Sequence, residues 1–246
     1  MKLLCTVKIT MNINFKLILG IIYLLCLGIL LFVVFSYLDL KDLKDYTYIK
    51  NNSEILLNYK NQNIALFIIF FFLFCIFWIF LLGFGSPLCL ISGFLFGQLV
   101  GTLICVLSLT IGSTLLYMFA NYYFHDLIVK YLEAKILKYK YLFKKNEFFY
   151  FLIFRFTGGA GIPFGIQNIL PTIFNMKVSN YFYSTLLGLL PAVFILNSLG
   201  QGIEKLIEQN TSLNLVQVIL EPGIYIPISC FLLILGISFL IKKKIF

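Results

Sequence analysis

The 246-residue chain contains one arginine, one histidine, one tryptophan and ten acidic residues, and only 12% of it is charged. Charge that sparse cannot clothe a soluble domain of this length, which excludes an ordinary globular protein. The single histidine, His125, excludes a zinc site or a Cys/His pair of defined spacing. The six cysteines, Cys5, Cys26, Cys75, Cys89, Cys105 and Cys230, show no C-x-x-C spacing, and all but Cys5 lie in apolar runs. They read as small packing residues, so neither a disulfide framework nor a metal centre is expected. No Ser/His/Asp set, aligned carboxylate pair or nucleotide-binding glycine loop is visible. The expectation is therefore no catalytic residues, no metal and no cofactor.

What is abundant is apolar surface: 61% hydrophobic residues and a mean hydropathy of +0.99. This composition belongs to an integral membrane protein. The first apolar run, Phe15 to Leu38, would span about 36 Å as a helix, too long for a signal-peptide core, and reads as a retained anchor. A net charge of +9 suggests nucleic acid until its distribution is read. Lys2, Lys8 and Lys16 precede the first run, six lysines lie between Lys130 and Lys145, and Lys242 to Lys244 end the sequence. The loop at 39–63 balances four lysines with four acids, and the 200–215 loop carries Glu204, Lys205 and Glu208. The positive-inside rule then places both termini and the middle loop in the cytoplasm, with no role for nucleic acid. A bacterial inner (plasma) membrane fits this pattern. Lys243-Lys244-Ile245-Phe246 also matches a dilysine retrieval signal, which would fit a eukaryotic ER or Golgi membrane.

These loop assignments demand an odd number of crossings between Asn63 and Tyr123, where hydropathy offers two runs. Parity is satisfied if Ile64–Leu82 enters, turns at Gly83–Pro87 and returns through Phe96, leaving Gln98–Tyr122 as the crossing. The event repeats from the other side: Phe148–Thr157 enters, Gly158–Pro163 turns, Phe164–Asn175 returns, and Tyr181–Leu199 crosses. Gly85-Ser86-Pro87-Leu88 aligns by eye with Gly161-Ile162-Pro163-Phe164. The expected fold is an all-α polytopic membrane protein, an inverted repeat of two opposed re-entrant hairpins, each followed by a crossing helix. An N-terminal and a C-terminal transmembrane helix, the latter over Leu215–Ile241, flank it. The expected division is an anchor and outer loop at 1–63, a membrane domain at 64–205, and a terminal helix with its lysine tail at 206–246. Small residues at Gly97, Gly101, Cys105, Ser108 and Gly112, and again at Ser184, Gly188 and Ala192, predict close helix packing.

The lone arginine, Arg155, falls inside the apolar run Phe148–Gly165. A guanidinium at that depth is costly unless it meets a carboxylate, water or phosphate, so it marks a candidate site. Gly158, Gly159, Gly161 and Pro163 follow it and cannot continue a straight helix. Two readings stand: a clamp for phosphate oxygens, helped by glycine amides, or an arginine that caps carbonyls exposed by the turn. Gln167 and Asn168 either bind a headgroup or satisfy the broken backbone. Pro87, Pro163 and Pro171 shape the turns. Glu204 and Glu221 are the carboxylates available to take a proton or pair with Arg155. Residues 124–147 interleave apolar side chains with lysines, as an interfacial helix or as a solvated basic loop.

Pro87-Leu88, Gly93-Phe94-Leu95-Phe96-Gly97 and Gly101, followed by Arg155, Pro163-Phe164-Gly165-Ile166-Gln167-Asn168, Gly188-x-x-Pro191 and Gly200-x-Gly202, form an ordered set. The set resembles the DedA-like superfamily, in its VTT-domain, SNARE-associated Golgi protein family and the bacterial Tvp-type branch, over about residues 64–205. The resemblance implies two opposed re-entrant hairpins and movement of phospholipid or polyprenyl-phosphate lipids between leaflets, with a role in membrane homeostasis. It implies membrane lipids, including anionic headgroups, as partners. The candidate substrate-binding residues, read from their own chemistry, are Arg155, Gly158, Gly159, Gly161, Pro163, Asn168 and Pro87, the prolines acting indirectly by shaping the turns. Where the family often has prolines three and six residues after its arginine, this chain has Gly158 and Gly161, a more flexible version. The alternative is a non-transporting membrane scaffold or trafficking factor acting through the basic 124–147 segment.

Overall fold

The computed structural model describes residues 62–81, 83–126, 143 and 145–208, together with isolated positions 25, 28, 29, 225, 229 and 232. The expected N-terminal anchor, the loop at 39–61, most of the basic segment, Glu221 and the lysine tail lie outside these residues. The chain divides into two compact units, Met1–Lys41 and Asp42–Phe246. In the first, Leu25, Gly28 and Ile29 are helical and exposed.

The described elements of the second unit are all helical: α1 (Ile64–Phe80), α2 (Gly85–Phe96), α3 (Gln98–Tyr123), α4 (Glu147–Phe156), α5 (Phe164–Ile169) and α6 (Val178–Glu208). Short 3-10 turns at Gly158–Gly161 and Leu170–Phe174 flank α5. Two helices are long and apolar enough to cross a membrane, Gln98–Tyr123 with 26 residues and Val178–Lys205 with 28. At 1.5 Å per residue they extend about 39 and 42 Å, more than a hydrocarbon core of about 30 Å.

The chain reverses between α1 and α2. Phe96, at the end of α2, packs its ring on Phe67 and Phe71, near the start of α1, with centroids 6.0 and 5.4 Å apart. The turn is earlier and shorter than its glycines and proline suggest, since Gly85, Ser86 and Pro87 are already helical. Pro87 is the third residue of α2, where a helix needs no N–H, so its ring starts the helix rather than breaking it. The backbone at the turn is closed by Trp78, whose Nε1 donates to the Phe84 carbonyl at 3.1 Å while the Gly83 amide donates to the Trp78 carbonyl at 3.0 Å. A β-carbon on Gly83 would lie 2.2 Å from the indole, which leaves glycine as the residue that fits.

A second reversal joins α4 to the return limb formed by α5 and the 3-10 turn after it. Asn146 caps α4 by accepting from the Phe149 amide at 3.1 Å. Glu147 in the first turn accepts from the Lys177 amide at 3.2 Å and from Asn180 Nδ2 at 2.6 Å, which holds the start of α4 beside the start of α6. Phe143 stacks on Phe174, 4.2 Å between centroids, closing the same end. The expected pairing of Pro87 with Pro163 is not the structural one. Pro163 is the N-cap of α5, a place held before α2 by Phe84, so the two prolines occupy different positions in their turns.

Packing exchanges partners between the halves. α1 lies on α3 and α4 on α6, within their own halves, whereas α2 also lies on α6 and α5 on α3. Glycines make the first exchange a backbone contact. A β-carbon on Gly93 would fall 2.1 Å from the Asn197 carbonyl oxygen, and one on Gly200 would fall 2.1 Å from that of Leu90. Gly101 meets the Ser92 backbone, Gly112 meets Ile76, and Gly188 meets Arg155 and Leu152, so the small-residue faces read from the sequence are packing faces. Cys75, Cys89 and Cys105 are buried free thiols of the core built by α1, α2 and α3, which Leu189 and Val193 of α6 complete. A smaller aromatic core, Tyr117, Phe151, Met176 and Tyr181, underlies the second reversal.

Gly93→Ala and Gly200→Ala are expected to force α2 away from α6 and to destabilise the fold by about 1–3 kcal/mol each, as overpacking does. Ser86→Ala, exposed at the first turn of α2, is expected to stay within about 0.5 kcal/mol. Thermal unfolding of the solubilised chain, followed through the fluorescence of Trp78, measures both.

Candidate functional site around Arg155

Arg155 occupies the last turn of α4 and is the largest fully buried side chain among the described residues, 1% exposed. Its place follows from the glycine opposite. With no side chain at Gly188, α6 approaches until the position of its missing β-carbon is 2.5 Å from Arg155 Cβ, and the guanidinium turns into the corner between α4, α5 and α6. There Nη1 donates to Gln167 Oε1 at 3.1 Å, and Nη2 donates to Asn168 Oδ1 at 2.6 Å and to Tyr181 Oη at 2.9 Å. The rings of Phe151, Phe164 and Tyr181 surround it, with centroids 4.9, 5.1 and 5.8 Å from Cζ.

All of these partners are neutral. Among the described residues no carboxylate pairs with Arg155. Burying an ion is expensive, and neutral acceptors and ring faces recover part of that cost without cancelling the charge. The accounting is also incomplete by atom. Arg155 Nε and Asn168 Nδ2 are buried without a hydrogen-bond partner, as are the hydroxyls of Thr172 and Thr185. Thr172 lies four residues after Asn168, on the 3-10 turn that follows α5, and Thr185 lies four residues after Tyr181 on α6. All four atoms can donate.

The turn after Arg155 is held by Gln167. Its Nε2 donates to the Ile162 carbonyl at 2.6 Å and to that of Gly158 at 3.3 Å, while its Oε1 accepts from Arg155. Gly158, Gly159 and Gly161 take φ of +73°, +71° and +77°, where a β-carbon is strained. At Gly159 a β-carbon would also strike the Gln167 amide at 2.1 Å. Gly158, Gly161 and Pro163 are exposed, and Gly159 is buried. The guanidinium is thus roofed by a glycine turn that has open space beside two of its residues.

Of the residues singled out from the sequence, Arg155, Gly158, Gly159, Gly161, Pro163 and Asn168 come together here. Pro87 is exposed on the first turn of α2. Its neighbour Gly85 reaches the site indirectly, since its β-carbon would lie 3.9 Å from the Phe164 ring that flanks Arg155. The start of α2 therefore comes near the start of α5, which carries the Phe164 ring beside the guanidinium. Glu204 is elsewhere, sixteen residues beyond Gly188 on α6, about 24 Å along the helix. It lines a cleft of about 300 Å³ with Ile64, Leu95, Phe96, Gly97 and Val100. Tyr181, Thr172, Thr185 and the flanking rings were not picked out from the sequence. They are ordinary residues of apolar segments, and only the fold brings Tyr181 and the rings to the one cation.

The family model for the VTT domain matches residues 83–202. This interval starts at the first turn and leaves out α1, although α1 packs on α3 within the same unit. No solved structure matches the chain.

Tyr181→Phe keeps the ring over Arg155 and removes the hydroxyl that accepts from Nη2 and donates to the Asn168 carbonyl at 3.4 Å. Loss of a buried hydrogen bond to a charged group is expected to lower stability by about 1.5–3 kcal/mol. Chemical or thermal unfolding against the unmodified chain measures it.

Proposed function

This chain carries the VTT domain of the DedA and SNARE-associated Golgi family, and from that premise we propose that it moves phosphate-bearing lipids between the leaflets of a membrane. One observation carries the proposal: Arg155 keeps a full positive charge in the interior without a carboxylate beside it among the described residues, and its Nε is unfilled. A phosphate supplies the missing charge and the missing acceptor together. Charge-assisted bonds of this kind are roughly twice as strong as those to neutral acceptors, and the flat guanidinium matches two phosphate oxygens.

In this reading the two reversals are re-entrant hairpins. α2 is about 18 Å long and α4 about 15 Å, both short of a hydrocarbon core of about 30 Å, and each reversal is followed by a helix long enough to span it, α3 or α6. The exchange of partners, α2 onto α6 and α5 onto α3, supports an inverted repeat, because it is what two interlocked copies of one hairpin-plus-helix unit produce. Irregular backbone at membrane depth is tolerated where protein buries it or a polar groove passes it. The approach of α2 to α5, where a β-carbon on Gly85 would lie 3.9 Å from the Phe164 ring, supports a headgroup path between the two hairpins, where the barrier is shortest. The lysine distribution orients both termini to the cytoplasm. The chain performs no covalent chemistry in this account, and its partners are the lipids themselves.

Purified protein in liposomes is expected to accelerate leaflet exchange of fluorescent phospholipid. Arg155→Gln is expected to reduce that rate at least about tenfold, the effect of losing one interaction of 1.4 kcal/mol or more. Arg155→Lys should rescue little, because an ammonium cannot reproduce a two-oxygen grip. A folded protein without exchange above empty liposomes, across anionic and polyprenyl lipids, would reject the proposal. Function that survives Arg155→Gln but fails when lysines 130–145 are neutralised identifies a scaffold working through its basic segment.

A further inference from the structure

Two unfilled donors flank a single hydrogen bond at the centre of the site. Arg155 Nη2 donates to Asn168 Oδ1 at 2.6 Å; on either side of that bond, Arg155 Nε and Asn168 Nδ2 have no partner, and both residues are 1% exposed or less. The guanidinium has five N–H groups, and the described contacts use three, on Gln167, Asn168 and Tyr181. Nε and Nη2 lie along one edge of the guanidinium plane, the edge on which two oxygens of one anion are held in parallel. Gln167 and Tyr181 fix the rest of the group, so this edge is the one presented.

We propose that an oxyanion binds across Arg155 Nε and Asn168 Nδ2, with Asn168 reporting the sign of the ligand's charge and Gln167 acting as the positioning residue. Resting on the reading of Arg155 given above, this assigns the site's second donor and its selectivity. The anion takes Nε and Nη2, and Asn168 turns its amide so that Nδ2 donates to a second oxygen in place of the bond its Oδ1 accepted. The position is selective because it is an amide. An aspartate would hold Arg155 more strongly in the closed form, since it supplies the carboxylate the corner lacks, and would exclude the anion by charge. Water also fits unfilled donors, but it leaves the guanidinium charge uncompensated. Entry is through the turn roofing the site, where Gly158 and Gly161 are exposed and have open space beside them.

The test is Asn168→Asp in the full chain, reconstituted in phosphatidylcholine nanodiscs and melted with Trp78 fluorescence as the readout. Two probes are added separately: phosphatidic acid in the bilayer, and inorganic phosphate in solution. The unmodified protein is expected to gain stability from phosphatidic acid. Asn168→Asp is expected to start from a higher melting midpoint and to lose the probe-dependent gain, its affinity falling about tenfold or more. If inorganic phosphate alone produces the gain, and the substitution removes it, the site stands with a free ion as its ligand. A gain retained by Asn168→Asp overturns the inference, and so does a protein that neither probe stabilises, which would leave the donors to water. Gln167→Ala separates positioning from folding: it is expected to weaken the probe response more than it lowers the midpoint without probe, and equal effects would make Gln167 merely structural. Stabilisation by phosphatidic acid without any lipid exchange would uphold this site and reject translocation.

Discussion

Wherever a helix ends against apolar surroundings, its last carbonyls and the first amides beyond them must find partners, and the whole arrangement depends on how the two turns meet that constraint. The first turn uses a neutral aromatic donor, the Trp78 indole, bonded to the Phe84 carbonyl, while the Trp78 main-chain carbonyl accepts from the Gly83 amide. The second uses the Gln167 amide, which serves the Gly158 and Ile162 carbonyls with its nitrogen and Arg155 with its oxygen. The first solution is self-contained. The second ties broken backbone to a buried charge, so the turn and the guanidinium cannot be rearranged independently. That difference separates a reversal closed within itself from one coupled to a buried charge.

The packing reinforces the contrast. α2 meets α6 with Gly93 and Gly200 at backbone distance, leaving no room for adjustment. The return limb of the second hairpin is shorter in α-helix, passes into a 3-10 turn and leaves through Asn175 at φ +50°. Its ties to α3 run through side chains: the Tyr117 hydroxyl bonded to the Met176 carbonyl, and Asn121 Nδ2 bonded to Asn175 Oδ1 at 3.2 Å. Tyr117 and Phe151 both stack on Tyr181, at 4.6 and 5.1 Å between centroids, so α3, α4 and α6 share one aromatic floor beneath the cation.

Much of this was legible in the residues because membrane chains have few reasons to carry charge or clustered glycine. A lone arginine in an apolar run, followed by three glycines within six residues, points to a turn around a buried cation, and the structure places them together. The small-residue faces were legible for a similar reason, since spacing of three or four puts them on one side of a helix. The position of Pro87 was not. Proline marks both a turn and the first turn of a helix, and only the fold distinguishes Pro87 inside α2 from Pro163 at an N-cap. Nor was Tyr181 legible. Its hydroxyl meets Arg155 from a different helix, 26 residues along the chain, and nothing in local pattern encodes such a meeting.

The exchange of partners between halves also governs how such a chain is made. The face of α2 that carries Gly93 is completed by Asn197 and Gly200, roughly a hundred residues further along the chain. Emerging from the ribosome, the first hairpin has its own α1 and α3 to lean on, but one flank stays uncovered until α6 has been synthesised and inserted. The early half therefore waits in the bilayer as an open structure, and assembly is completed late, by the same helix that carries Tyr181 to the arginine. A chain cut short before α6 would lose both the closure of its first half and the Tyr181 side of its charged corner, leaving the membrane's quality control an exposed glycine face and a guanidinium held by Gln167 and Asn168 alone to recognise.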